Sequence, residues 1–412
     1  MSKKSQQGYI AGLDIGTTKV VFIIGELNTE GLHVIGVGEA QNYGVKQGAV
    51  INIDSTAEAI QQAKEEAELM AGVTVAEVWL GVAGAHIESF DSDGMIAIRN
   101  KEVTRDDVNR VIEAAKAVAI PADRQVLHVL PKEFKVDTQK GINDPVGMSG
   151  VRLEANVHIV SGHQASVQNS IKCVEKAGLK VKGLVLQQLA SALAVLSEDE
   201  KQLGVAVVDI GGGTTDIIAF LNGAVIYTGV VPVGGQNFTQ DVAMGLRTTQ
   251  NNAEDLKKKY GCALSELVGA DETVEVEGVG GRKKRTIGRS DLCEIIEARA
   301  EETLGLIKQE IEKAGLTQLL GSGVVITGGV SQLNGLLEMG DFALDIPVRR
   351  GVPDKVSGLT DVVKSSHYAT AVGLLLYGLK QEKIKPIPVK DREVVNSNSW
   401  VNKLKNFFLE TF

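Results

Sequence analysis

The sequence predicts an α/β fold made of two related halves, and two stretches carry the prediction. Residues 205–216 read VAVVDIGGGTTD, an apolar run suited to a buried strand, then Asp209, then Gly211, Gly212 and Gly213. Residues 9–27, YIAGLDIGTTKVVFIIGEL, repeat the plan with Asp14, a turn of Gly16, Thr17 and Thr18, and then Lys19. A second apolar run follows each turn, so each unit reads as strand, tight turn, strand. Composition sets the bounds. The 412 residues suffice for two or more cores, 43% hydrophobic content is ordinary for a soluble globular chain, and a net charge of -9 argues against a general nucleic-acid binder.

The turns suggest a chemistry. Glycine lets the backbone fold sharply and offer bare N–H groups to an anion, and phosphate is the natural guest. A carboxylate at the lip of such a loop would repel phosphate unless a divalent cation lay between them. Asp209, with Asp14 as its counterpart, is therefore read as holding Mg2+ through water. A lone Gly-Gly-Gly fits an unliganded hairpin equally well. The recurrence changes that, because two acid-tipped hairpins in one chain can face each other across one polyphosphate, with Lys19 adding a cation.

The two turns, DIGTTK and DIGGGTTD, resemble the phosphate loops of the actin, sugar-kinase and heat-shock chaperone superfamily. The resemblance implies a duplicated actin-like (ribonuclease H-like) fold with inserted α+β subdomains, and ATP with Mg2+ as ligands. It also assigns residues. Thr214, Thr215 and Asp216 complete the second loop, and QQLASALAVL resembles the connecting helix that sets a polar residue, here Gln187, beside the attacking water. VGGQNF, containing Gly234, Gly235, Gln236 and Asn237, and ITGGVSQL, containing Gly328, Gly329 and Val330, resemble the loops that receive the nucleoside. Glu254 and Lys257 of AEDLKKKYG would supply ribose contacts.

In chain order, a strand is expected near 32–37, then a helix over 53–71 capped by Asp54 or Ser55, with Ile60, Ala63, Ala67 and Met70 on one face. After a strand at 78–82 the rhythm breaks, and 86–161 reads as an inserted α+β domain with a helix over 104–119 and strands near 95–98, 125–130 and 153–159. A spacer without function is the alternative. An insertion at this place, opening GVAGAHI, resembles the bacterial cell-division FtsA family. So do the helix 164–177 with its GLKV turn, the segment SEDEKQLGV and the stretch VGADETVEVEGVGGR. The implied division is 1–84 with the first phosphate loop, 85–161 inserted, and 162–203 returning to the first half with the connecting helix. Then come 204–236 with the second loop, 237–319 as a second insertion, 320–380 closing the core, a linker at 381–397 and a tail at 398–412.

The second insertion carries the basic run Arg282, Lys283, Lys284 and Arg285, and a helix over 290–313 with Ile295, Ile296, Leu304, Leu306 and Ile307 as its apolar face. The run alone reads as a solvated loop. In the FtsA family this region receives the C-terminal tail of the tubulin-like protein FtsZ, which makes Arg285, Arg299 and Glu302 candidate contacts. Strands at 324–329 and 348–350 and a helix over 367–379 close the core.

Two prolines and many charges mark 381–397 as a linker. Beyond it, Trp400, Val401, Leu404, Phe407, Phe408 and Phe412 fall within an arc of roughly 140° at helical spacing. Four of the chain's seventeen aromatics lie in these last thirteen residues. Such a helix either docks back on its own protein or lies in a membrane interface, and its Trp, Phe and Lys usage on a long tether favours the membrane. The FtsA family ends in such a helix. The start, 1–8, is polar, no apolar run approaches ~20 residues, and Cys173, Cys262 and Cys293 lack metal or disulfide spacing, so a peripheral protein of a reducing cytoplasm is expected.

Three function classes compete. A small-molecule kinase would share both loops but needs an acceptor pocket with its own base, and no such motif is present. A chaperone needs a large peptide-binding domain after the last core helix. A membrane-tethered, ATP-dependent polymer with FtsZ and other division proteins as partners, on the inner face of the cytoplasmic membrane at the division site, uses every feature. Its nearest rival is a pilus-assembly relative. Gln187 is an amide, a very poor general base, so hydrolysis is expected to be weak.

Overall fold

The computed structural model describes residues 8–382, apart from 29, 30, 119 and 282. The predicted tail residues Trp400 to Phe412 lie outside the described residues. Both hairpins form as read. Tyr9–Ile15 pairs antiparallel with Lys19–Asn28, and Val205–Ile210 pairs antiparallel with Thr215–Leu221. Asp14 and Asp209 sit one residue inside their first strands, so pairing with the neighbouring strand fixes their backbones.

The halves share one topology. In the first sheet a meander of Tyr9–Ile15, Lys19–Asn28 and Gly31–Gln41 is extended on the side of its first strand by the parallel strands Glu77–Val82 and Lys180–Leu186. The second sheet repeats this with Val205–Ile210, Thr215–Leu221 and Ala224–Val231, extended by Val324–Thr327 and Val348–Arg350. The apolar runs are continuous because helices cover these strands, and residues 205–210 are all buried. Helices Gln187–Val195 and Ala369–Gln381 pack on each other. The first also touches the second sheet, and the second lies on the first sheet.

A four-stranded antiparallel sheet of Ile87–Ala97, Arg152–His163, Arg124–Val136 and Gln139–Ile142, with helix Arg105–Lys116, forms the insertion in the first half around its own core. The helix ends earlier than the expected 119. It begins with a capping box in which Thr104 and Asp107 exchange hydrogen bonds. In the second half, helix Arg289–Lys313 buries Ile296, Leu304 and Ile307 as expected, while Ile295 and Leu306 are only partly covered.

Helix Ile53–Ala71 corrects one expectation. Its cap is Asn52, not Asp54 or Ser55, because the Asn52 side chain accepts from Ser55 N at 3.1 Å and so satisfies a first-turn donor. Asp54 instead pairs with Lys176 on helix Gln164–Lys176. Met70 is half-buried at the edge of a face formed by Ile60, Ala63 and Ala67.

Candidate functional site

Both hairpin turns close on the same hydrogen bond, Gly16 N to Lys19 O and Gly211 N to Thr214 O, each 2.9 Å. The run Gly16, Thr17, Thr18, Lys19 therefore matches Gly211, Gly212, Gly213, Thr214 position by position. The two turns also touch. A Cβ on Gly212 would lie 2.7 Å from the Thr18 side chain, and one on Gly213 2.6 Å from Thr17 Oγ1. The hydroxyl side chains of one turn thus occupy the space that glycine leaves on the other.

Three carboxylates lie buried behind the turns: Asp14, Asp209 and Asp216. Asp209 Oδ2 accepts from Ser191 Oγ at 2.6 Å and Thr370 Oγ1 at 3.2 Å, which ties it to both helices between the sheets. Asp216 Oδ2 accepts from Thr214 Oγ1 at 2.9 Å. Asp14 Oδ1 and Asp216 Oδ1 are buried without a partner. Burial pushes Asp14 up to about 7, with Lys19 opposing and Asp209 adding to the rise. Burial, then the neighbouring Asp209, pushes Asp216 up to about 7. Asp209 is raised by burial against the pull of its hydroxyl partners. Buried acids so placed favour the arrival of a cation.

Lys19 leaves the first turn toward the last core helix. Its Nζ donates to His367 O at 3.0 Å, lies 3.7 Å from Glu39 Oε2 and stands 4.9 Å over the Tyr368 ring. Burial lowers it to about 8. Burial would raise Glu39, but Lys19 and His367 hold it down at about 2. Gln187 begins the connecting helix at the base of the first hairpin, where its Nε2 donates to Ile15 O at 3.5 Å.

The start of helix Gly235–Gly245 is stitched onto the second turn: Gly235 N donates to Gly211 O at 2.9 Å and Gln236 N to Gly212 O at 2.8 Å. Asn237 Oδ1 accepts from Gly234 N at 3.0 Å. Lys257 Nζ donates to Gly235 O at 3.1 Å, Thr239 Oγ1 at 2.9 Å and Glu254 Oε2 at 2.6 Å. A Cβ on Gly328 would meet Asp209 Oδ1 at 2.4 Å, one on Gly329 would stand 3.8 Å from His367 Nδ1, and one on Gly235 would be 3.1 Å from Val330. The structure thus gathers the hairpin residues and both expected nucleoside loops around one point. Thr215 is turned away, donating to Val233 O at 2.8 Å.

Sequence reasoning passed over Ser191, Thr370, Glu39, His367 and Tyr368. Ser191 lay within the quoted QQLASALAVL stretch, while Glu39 and the 367–370 group reach the site only through the fold. The candidates Arg285, Arg299 and Glu302 sit apart, around helix Gly235–Gly245. Arg285 Nη2 donates to Leu246 O, and Arg299 is engaged by Asp241 and, at 2.8 Å, by Glu302. The Arg299 side chain is only 20% exposed, so its charge is already spent within the protein rather than held open. Among the described residues no three His, Cys, Asp or Glu side chains converge to hold a metal by themselves, and no helix is long and apolar enough to cross a membrane.

Comparison with known proteins gives the family. The model "Cell division protein FtsA" matches 206–373, and that of the SHS2 domain inserted in FtsA matches 84–161. A model of the type IV pilus assembly protein PilM matches 145–265. The cell division protein FtsA of Pseudomonas aeruginosa is 49% identical over 374 residues, covering 90% of each chain. That of Neisseria meningitidis is 45% identical over 95% of this chain and 96% of its own, and that of Escherichia coli 40% identical over 100% of both. Among solved structures, the PilM-PilN type IV pilus biogenesis complex superposes with a TM-score of 0.65 at 16% identity, covering 90% of this chain and 98% of that one. MreB5 of Spiroplasma citri bound to ADP gives 0.54 at 13% identity, covering 91% and 98%. These similarities establish the actin-like fold, and with curated relatives 40–49% identical over nine-tenths or more of its length, the chain belongs to the FtsA family of cell-division proteins.

Proposed function

We propose that this chain binds ATP with Mg2+ between its two hairpins and uses the nucleotide to govern self-assembly into a filament that tethers FtsZ to the membrane. The observation that carries the reading is the pair of touching turns backed by buried carboxyl oxygens without partners. The residues fit the ligand. Asp14 and Asp209 would hold the cation through water. Bound Mg2+ would neutralise phosphate charge. The N–H groups of Gly212 and Gly213 and the ammonium of Lys19 would hold the phosphates, while the Gly211 N–H keeps the turn closed on Thr214 O. Glu254 and Lys257 would face the ribose, and Gly328, Gly329 and Val330 the base. Gln187 would orient a water without taking its proton, which makes turnover slow. Robust multi-turnover phosphate release by the unassembled protein would contradict this.

Because Thr17 and Thr18 pack on the opposing glycines, a phosphate chain can enter only if the halves part. Binding and domain opening are therefore one equilibrium, which is what an assembly switch needs. At the far end of the chain, Trp400, Val401, Leu404, Phe407, Phe408 and Phe412 would form a short interfacial anchor, marginal alone and strengthened by avidity in a filament. Arg285, Arg299 and Glu302 remain the candidate contacts for the FtsZ tail, with Arg299 having to leave Asp241 to serve. Titration of the chain with ATP by calorimetry, with and without Mg2+, tests the core of the reading: Mg-independent or absent binding would overturn it.

A further inference from the structure

Away from the hairpins, three lysines from three separate segments line one cleft of about 240 Å³: Lys201 on helix Glu198–Leu203, Lys355 before strand Ser357–Gly358, and Lys380 near the end of helix Ala369–Gln381. Leu376 and Leu379 form its apolar wall, and among the described residues Glu198 is its one lining carboxylate. Lys201 Nζ takes up Glu198 at 2.8 Å. Lys355 Nζ donates to Leu193 O at 2.9 Å and to Leu196 O at the end of the connecting helix. Burial, then the facing Lys201, holds Lys355 below its usual range, with Lys380 adding to the fall and Asp354 and Glu198 opposing it. Like charges brought together over an apolar wall are costly, and an anion with an apolar portion relieves the cost.

We propose that this cleft takes the phosphate headgroup of an anionic membrane lipid, with its glycerol and first acyl carbons against Leu376 and Leu379. The inference rests on the membrane anchoring proposed above and names a second lipid contact beside it. The chain's own tail is the poorer occupant, because residues 383–412 carry six Lys and Arg against three Asp and Glu and would be repelled by the lysines. Position favours the lipid as well. Lys380 lies two residues before Glu382, which Trp79 Nε1 holds at 2.7 Å and from which the tail departs. The cleft and the start of the linker thus share one end of helix Ala369–Gln381, so a tail lying in a bilayer keeps the cleft within linker reach of its surface.

The test is titration of the full-length chain with dihexanoyl phosphatidylglycerol below its micelle concentration, with the choline analogue and inorganic phosphate as comparison probes. Saturable binding of the glycerol lipid is expected, with weaker binding of the choline form. Lys380→Gln should lower the affinity by about fivefold, the share of one lysine at an anionic surface, whereas Lys355→Arg should retain it. Equal binding by wild type and Lys380→Gln, or no saturable binding, overturns the proposal. Displacement by equimolar inorganic phosphate would assign a free-anion site and overturn the lipid. Trp400→Glu should keep the soluble-lipid binding while losing vesicles of phosphatidylglycerol. If vesicle binding survives Trp400→Glu, the anchor reading falls while the cleft result stands.

Discussion

The turn of the first half and the turn of the second close on equivalent hydrogen bonds and present opposite surfaces. Positions two and three are Thr17 and Thr18 in one and Gly212 and Gly213 in the other. Position four is Lys19, reaching Glu39 and His367, or Thr214, reaching Asp216. The carboxylates differ too. Asp14 keeps an oxygen without a partner, whereas Asp209 is tied by Ser191 and Thr370 to the helices between the sheets. A repeated backbone has thus been given complementary side chains: one turn brings hydroxyls and a cation, the other bare backbone and a fixed carboxylate. Two identical turns could not pack this way, since Thr would meet Thr.

The largest expected effect comes from the fixed carboxylate. Asp209→Ala removes a candidate cation holder and leaves two buried hydroxyls facing a void, so Mg-dependent ATP affinity should fall by about 100-fold or more. Unchanged affinity by calorimetry would remove Asp209 from the site. The interlock itself is broken by Gly213→Thr, which drives a side chain into Thr17 and should destabilise the closed arrangement by about 2 kcal/mol. Adding Thr17→Gly should restore most of that stability. A double variant no better than Gly213→Thr in denaturant melts would mean the turns are not complementary.

Protons sharpen the comparison next, since each hairpin holds one carboxyl raised to about 7, Asp14 and Asp216. A carboxyl with a raised folded-state pKa binds its proton more tightly folded than unfolded. The stability it contributes is full below about pH 4 and is lost as pH rises toward about 7. The ligand-free chain should lose melting temperature over that window. Cation binding must expel those protons, so Mg-ATP affinity should rise about tenfold between pH 6 and pH 8 for one carboxyl that ionises. Asp14→Asn should flatten the affinity profile and remove one of the two contributions to the stability profile, and profiles unchanged by Asp14→Asn would place the titrating group elsewhere. The smallest effect separates the first turn positions. An added Cβ would meet Lys19 O at 2.9 Å in Gly16→Ala but Thr214 O at 3.3 Å in Gly211→Ala, so the first should cost more, by about 1 kcal/mol. Thermal denaturation of the two variants measures the order.

Much of this was legible in the chain because it is local. Apolar runs around Asp14 and Asp209 specify strands, glycine and threonine specify tight turns, and the recurrence of the unit specifies two halves. Helix Arg289–Lys313 announced itself by its period, and the family resemblance of the motifs located the residues that gather at the hairpins. One local feature was misassigned, the Asn52 cap, because several capping residue types stand together at 52–55 and only backbone geometry selects among them.

What only the tertiary structure decided is how distant segments complete the site and the surface. Thr370 reaches Asp209 across 161 positions, and Lys19 reaches the carbonyl of His367 across 348. The fit of Thr17 and Thr18 against Gly212 and Gly213, the engagement of Arg299 by Asp241, and the meeting of Lys201, Lys355 and Lys380 in one cleft have no periodicity or motif to betray them. The sequence by itself determined the two phosphate-type turns and the sheets that bear them, since strand and turn formation depend on neighbours a few residues apart. The tertiary structure decided which buried charges lack partners, because that depends on every element packed against them.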